Sequence, residues 1–256
     1  MRALTATIAG NDRFTPGLSR LTLAAPSLAA ATPGQCLALR QPGALLVVPR
    51  PFSLAAIDRR AGTVDLLYDD GDPLAPWLTS LVAGSPIDLL GPWGRPWPVD
   101  TRARHAVLLG SGRSLVALLS LARSLVEAGV AVVVLHDAPT AGGLLPPVAL
   151  PPAAELHIAT ADGSAGVTGG ALDVLPPLLS WADALYAALP MSEHAPLRDL
   201  VHRHRLRARR GFASVLAEAP LACYAGACDG CAVPLRDGGY GLLCKDGPVF
   251  DLLELL

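Results

Sequence analysis

The stretch HAVLLGSGRSLVALLSLARSLVEAGVAVVVLH, residues 105–136, decides the fold at the middle of the chain. It opens on an apolar run, 105–109, that ends in Gly110-Ser111-Gly112. Apolar residues then recur at helical spacing from 115 to 128, Gly129 stops the pattern, and 130–136 is a second buried-type run. Strand, glycine turn, helix and strand in that order make a βαβ unit, whose strands lie parallel with the helix packed across them. Two further strand-like runs, at 155–160 and 182–189, extend the unit into a parallel sheet.

Upstream the texture differs. Residues 4–8 and 18–23 alternate with period two, and 35–40, 52–57 and 63–68 also read as short strands. Pro33-Gly34, Pro42-Gly43 and Gly91-Pro92 are turn signals, and 74–82 fits a short helix. Short strands at this spacing predict a small antiparallel barrel. Downstream, the last forty-odd residues are rich in cysteine and glycine and show little periodicity. The expected organisation is therefore a β-barrel at 1–99, a parallel-sheet α/β domain at 100–212 and a small module at 213–256.

Composition narrows the function. With 52% hydrophobic residues in 256, the chain can bury a sizeable core, and disorder is excluded. A net charge of -2 argues against nucleic-acid binding. The longest apolar candidate, 115–135, is broken by Arg123 and Glu127, so no membrane span is expected. Residues 1–10 carry no signal-peptide core, and the expected location is the cytoplasm. Five cysteines are too few for a disulfide scaffold, and Cys36, standing alone, reads as a small buried hydrophobe.

The other four fall in one window. Cys223, Cys228, Cys231 and Cys244 have the spacing C-x4-C-x2-C-x12-C. A zinc ribbon normally shows two C-x2-C knuckles, whereas C-x4-C-x2-C with a distant fourth cysteine is the plant-type [2Fe-2S] spacing. A loop can wrap a two-iron rhomb with three thiolates while a remote segment supplies the fourth. Gly226, Ala227 and Gly230 are the small residues that let backbone N–H groups approach the sulfides.

The sequences CYAGACDGC at 223–231 and CKDGPVF at 244–250 resemble the tail of the electron-transfer subunits of dihydroorotate dehydrogenase, in the ferredoxin–NADP reductase superfamily. The resemblance spans nearly the whole chain. Pro33-Gly34-Gln35 resembles the superfamily's PGQ turn, Gly91-Pro92-Trp93-Gly94 its barrel-closing turn, and Thr160-Ala161-Asp162-Gly163-Ser164 its T-D-D-G-S segment. Arg50-Pro51-Phe52-Ser53 resembles the R-P-x-S flavin motif. An arginine can grip a pyrophosphate with a bidentate fork, and a serine hydroxyl can bond an isoalloxazine edge. The resemblance implies bound FAD, with Leu66, Leu67 and Tyr68 along the flavin and Pro73-Leu74 where the family's phosphate-capping Gly-Thr would fall.

The nicotinamide half departs from the family. Its glycine-rich turn has become Gly110-Ser111-Gly112-Arg113-Ser114, and its C-G-P-x-x-M motif has become Ala188-Leu189-Pro190-Met191. Glycines there let backbone amides meet a phosphate at a helix N-terminus, with Gly110 and Gly112 the residues retained. Two readings stand side by side: NAD as a substrate at an altered site, or a βα turn that serves only as a scaffold, the nicotinamide site being lost. The implied function is transfer of electrons from a dihydroorotate-oxidising, FMN-containing partner subunit, in a heterotetramer, through the cluster to FAD and on to NAD+, in pyrimidine biosynthesis. An alternative is a stand-alone reductase-like component with another acceptor, such as a ferredoxin. A zinc-bound regulatory protein on a vestigial reductase scaffold is the non-enzymatic alternative. No catalytic side chain is assigned, since cofactors carry this chemistry. The basic run 202–210 reads as a solvated helix face, Trp93 and Trp97 as packing residues, and His105, His136 and His157 carry no assigned role.

Overall fold

A computed structural model describes residues 2–43, 48–205 and 209–256. Strands β1 (Ala3–Thr15), β2 (Leu18–Ala24), β3 (Cys36–Leu39), β4 (Arg50–Ser53), β5 (Ala56–Asp58), β6 (Thr63–Asp69) and β7 (Pro86–Trp93) form one antiparallel sheet in the order β4-β3-β7-β1-β2-β6-β5. At one end Ala55 N–H donates to the Asp65 carbonyl at 2.8 Å, extending the pairing of β5 with β6. Alternation turns Ile8, Leu21, Leu23, Leu37, Leu39, Val64 and Leu66 inward, into a core that the short helix α1 (Ala75–Ser80) closes with Leu78. Each such aliphatic side chain contributes about 1.5–3 kcal/mol on burial.

The second sheet has β8 (His105–Ser111), β9 (Ala131–Ala138), β10 (Glu155–Thr160), β11 (Val167–Thr168), β12 (Ala184–Ala188) and β13 (Ala213–Leu216), all parallel, in the order β11-β10-β9-β8-β12-β13. Helix α2 (Val116–Glu127) covers one face with Leu118, Leu119, Leu121, Ala122 and Leu125, all buried. The other face carries α3 (Ala171–Val174) and α4 (His194–His204), with Leu175, Leu197 and Val201 packed in the core beneath them. Residues 206–208 of the basic run lie outside the described residues. Within it, Arg205 donates to the carbonyls of Leu179 and Ala182 and stacks 4.0 Å over the Phe212 ring, so this arginine is structural.

Two aromatic residues join barrel and sheet. Trp97 Nε1–H donates to the Ala117 carbonyl at 3.0 Å, and Tyr186 Oη–H donates to the Pro98 carbonyl at 2.9 Å, the two rings meeting edge-on at 5.8 Å. The tail is tied down as well. Strands β14 (Ala232–Pro234) and β15 (Tyr240–Leu242) form a hairpin, a single helical turn α5 (Leu243–Asp246) follows, and β16 (Val249–Asp251) adds to β13 as an antiparallel edge strand. Phe250 enters the core of the second sheet, and Arg95 N–H donates to the Gly247 carbonyl at 2.6 Å. The cysteine module is thus held against both larger units.

Candidate redox site

The hairpin explains how cysteines thirteen positions apart come together. Ala232 lies opposite Leu242, and Leu243 N–H donates to the Cys231 carbonyl at 3.0 Å, which brings the Cys231 and Cys244 sulfurs to 3.4 Å. Two thiolates on one tetrahedral metal, with bonds of about 2.3 Å, would sit about 3.8 Å apart. On the loop side, Cys223 Sγ accepts backbone N–H groups from Ala225 and Ala227, each at 3.4 Å, and bonds the Cys228 side chain. Those N–H groups hold the Cys223 thiol well below its ordinary value, to about 6, whereas burial raises Cys244 to about 11.

The loop needs special backbone. Gly226 has φ +69, and a Cβ there would run into the Lys245 side chain, 2.9 Å from its Cγ. Asp229 and Tyr224 reach φ +51 and +55 without being glycines, a conformation that costs an L-residue about 1–2 kcal/mol. The four thiols therefore form two pairs, Cys223 with Cys228 and Cys231 with Cys244. That is the donor set of a two-metal rhomb with two thiolates on each metal, and N–H groups aimed at sulfur are what such a cluster needs. Among the described residues, no three metal-ligating side chains close on a single point as a mononuclear site would require.

Beside this loop runs a groove between barrel and sheet. One cavity of about 560 Å³ is lined by Cys36, Arg50, Pro51, Ser53, Leu74, Trp93 and the segment 216–221. A second, of about 330 Å³, continues it past Phe52, Leu67, Tyr68, Arg113 and Ser114. The four motif residues thus border the groove together with Leu67, Tyr68 and Leu74, while Phe52, Tyr68 and Leu74 also pack in the barrel core. Leu66 turns into the barrel core, while Pro73, Gly110 and Gly112 do not line these cavities. Burial pushes the Cys36 thiol up to about 12, against the opposing Ser53 hydrogen bond. Trp93 Nε1 is a buried donor without an acceptor among the described residues, and its side chain borders the groove. An apolar slot with an orphan donor, a serine and an arginine fits an isoalloxazine with a charged tail.

The charged end is partly self-satisfied. Arg50 pairs with Asp72 at 3.5 Å, and Asp72 also accepts Leu74 N–H at 2.8 Å, closing a local turn just ahead of α1 where the missing Gly-Thr would stand. At the glycine turn, Leu115 packs directly on Gly110, its Cβ only 2.6 Å from where a side chain would begin, so Gly110 serves the approach of helix to strand. Gly112, at φ +50 with open space around it, makes the turn itself. Arg113 leans 3.9 Å from Asp69, and Ser114 Oγ–H donates to Glu218 at 3.3 Å. Glu218 N–H in turn approaches Met191 Sδ at 3.5 Å, so the two altered nucleotide motifs meet at Glu218. The segment at 160–164 is a self-capped turn, with Asp162 accepting Ser164 N–H and Oγ–H.

His136, given no role from sequence, locks the floor of the glycine turn at 110–114. Its ring bonds the Gly110 carbonyl at 2.8 Å and takes Leu145 N–H on Nε2 at 2.8 Å, so the neutral Nδ1–H tautomer fits, and burial holds its pKa low. Asp69, Glu218 and Tyr224 were also not singled out. For Tyr224 a signal existed, a bulky ring inside a loop otherwise made of glycine and alanine.

A barrel with a flavin-type groove, a parallel α/β sheet and a four-thiol module defines the class, an iron–sulfur protein of the ferredoxin-reductase type. Residues 218–256 match the family model described as the iron–sulfur cluster binding domain of dihydroorotate dehydrogenase B. The electron transfer subunit of dihydroorotate dehydrogenase B (NAD(+)) from Shouchella clausii is 32% identical over 230 residues, 88% of this chain and 86% of the relative. The same subunit from Geobacillus thermodenitrificans is 32% identical over 81% of this chain and 79% of its own length. The chain belongs to this family of electron transfer subunits. In fold it is similar to an NADH-dependent reduced ferredoxin-NADP oxidoreductase, with TM-score 0.80 and 22% identity over 98% of this chain and 89% of that one. It is also similar to the ferredoxin reductase of carbazole 1,9a-dioxygenase, with TM-score 0.66 and 20% identity over 84% and 68%.

Proposed function

We propose that this chain is the electron-transfer oxidoreductase subunit of a dihydroorotate dehydrogenase, carrying FAD and a [2Fe-2S] cluster and delivering electrons to NAD+. The observation that carries the reading is the pairing of four thiols beside a groove that holds the arginine–serine strand. When bound, the cluster supplies one-electron and the flavin two-electron chemistry. Cys223 and Cys228 would hold one iron, Cys231 and Cys244 the other. Ala225 and Ala227 N–H groups stabilise the thiolate form of Cys223, which is the form that binds metal. Arg50 would hold the FAD pyrophosphate, Ser53 and Trp93 Nε1–H would bond the polar edge of the ring, and Pro51, Phe52, Leu67, Tyr68 and Leu74 would exclude water from it. Leu66 would support that strand from behind, and Pro73 the turn into α1.

The division into units at 1–99, 100–212 and 213–256 belongs to the same proposal, the last unit lending β13 and β16 to the second sheet. Dihydroorotate oxidation falls to a partner subunit with FMN, in a heterotetramer, a reading supported by the relatives' naming as electron transfer subunits. Among the described residues no helix is long and apolar enough to cross a membrane, and the reading places the chain in the cytoplasm. Gly110 and Gly112 would shape the NAD+ turn, with Arg113 as its cation.

The test is anaerobic spectroscopy of the holoprotein with and without its partner. Dihydroorotate should bleach the flavin only in the complex, and NADH should bleach it in the isolated subunit. Failure of NADH to do so, with a ferredoxin accepting electrons instead, would favour the alternative reductase.

A further inference from the structure

One side chain fastens the cluster loop to the flavin groove. Tyr224, next to the ligand Cys223, is only 3% exposed although its neighbours in the loop are largely open to solvent. Its ring meets Trp93 edge-on at 5.3 Å, and its hydroxyl donates to the Pro49 carbonyl at 2.7 Å, one residue before Arg50. With Cys36, Ala38 and Trp93 it forms a separate small core, joined by Leu90 and Leu221. Trp93, Leu221 and Cys36 all border the groove cavity. A residue in left-handed backbone that nonetheless buries a large ring is held there by its packing.

We propose that Tyr224 is a positioning residue that fixes the separation of cluster and flavin, and that Tyr224 and Trp93 are the packed path between them. The proposal rests on the electron-transfer reading above. An electron passes from one bound group to the other, reducing one as the other is oxidised, and the two side chains change neither bonding nor oxidation state. Electron tunnelling weakens steeply with distance and across gaps, so a loop free to lift from the barrel would slow it without altering either group.

The experiment uses anaerobic holoprotein of wild type, Tyr224→Phe and Tyr224→Ala. Iron, sulfide and FAD are measured first, and wild type without them would overturn the functional reading rather than this inference. The flavin is then photoreduced in a flash, and cluster reduction is followed by absorbance and freeze-quench electron paramagnetic resonance. Tyr224→Ala should slow the transfer by about tenfold or more, and Tyr224→Phe, which loses only the tie to Pro49, by about two- to fivefold, with both midpoint potentials and the cluster spectrum unchanged. Wild-type rates in both variants, or a slowing fully accounted for by shifted potentials, would overturn it. If Tyr224→Ala loses its cluster, Tyr224→Phe decides alone: a slowed rate supports the inference and an unchanged rate overturns it.

Discussion

The cysteine loop at 223–231 and the glycine turn at 110–114 are both backbone cradles, yet they have opposite interiors. In the loop, N–H groups of Ala225 and Ala227 point at a sulfur, with the Lys245 side chain lying against Gly226 between them. In the turn, Leu115 fills the space over Gly110, while Arg113 and Ser114 turn to Asp69 and Glu218. A cluster needs particular side chains, so its site is written in residue identities. A phosphate site is made of backbone and empty space, and the same glycines serve equally for packing a helix on a strand.

Substitutions can break that contrast. The largest effect is expected at the ligands. Cys228→Ser or Cys231→Ser should remove nearly all the iron while FAD stays bound, as metal analysis and flavin absorbance would show. Arg50→Ala should weaken FAD by about 10- to 100-fold, the about 1.5–3 kcal/mol of a charge-assisted hydrogen bond, measured by titrating the apoprotein. Arg50→Lys should recover only part of this, because an ammonium has no fork. Gly110→Ala should destabilise the fold by about 1–3 kcal/mol through overpacking against Leu115, seen as a lower Tm with cluster content unchanged.

Acid sharpens the comparison from the turn's side. Burial holds His136 and His194 below the ordinary imidazole value. A base with a depressed folded-state pKa takes up a proton on unfolding, so its share of stability is full above about pH 6.5 and is lost as pH falls through that value towards the folded pKa. Tm should drop between pH 7 and 5, and His136→Gln should be less stable at pH 7 yet show a shallower decline. The smallest effect is at Asp72. Asp72→Asn keeps an acceptor for Leu74 N–H but frees Arg50, and should tighten FAD by a few-fold, in line with about 0.5–1 kcal/mol for a surface pair.

The fold was legible where periodicity was clean. The apolar runs around residues 105–136 emerge as β8, α2 and β9 within a few residues of their expected ends. Strand β7, central to the barrel, was not expected, because Gly91-Pro92, read as a turn, lies inside it and Pro86 stands at its start. Pro86 stands at its first position, where a missing N–H is tolerated, and Ile87 and Leu89 still alternate inward. The run at 52–57 read as one strand but splits into β4 and β5 at Leu54 and Ala55. The tail showed little periodicity because its strands are three residues long, too short to display a period.

At the site, residues with unique chemistry were legible and residues acting through position were not. The cysteines and the motif from Arg50 to Ser53 were found from identity and order alone. Asp69, Asp72 and Glu218 act only through neighbours brought from other segments, and Tyr224 only through its burial against Trp93.

Iron, acid-labile sulfide and flavin in anaerobically purified protein bear most directly on the pairing of thiols beside the groove. About two irons, about two sulfides and about one FAD per chain, with a rhombic paramagnetic signal on reduction, are the expected result. A colourless protein holding stoichiometric zinc and no sulfide would contradict it.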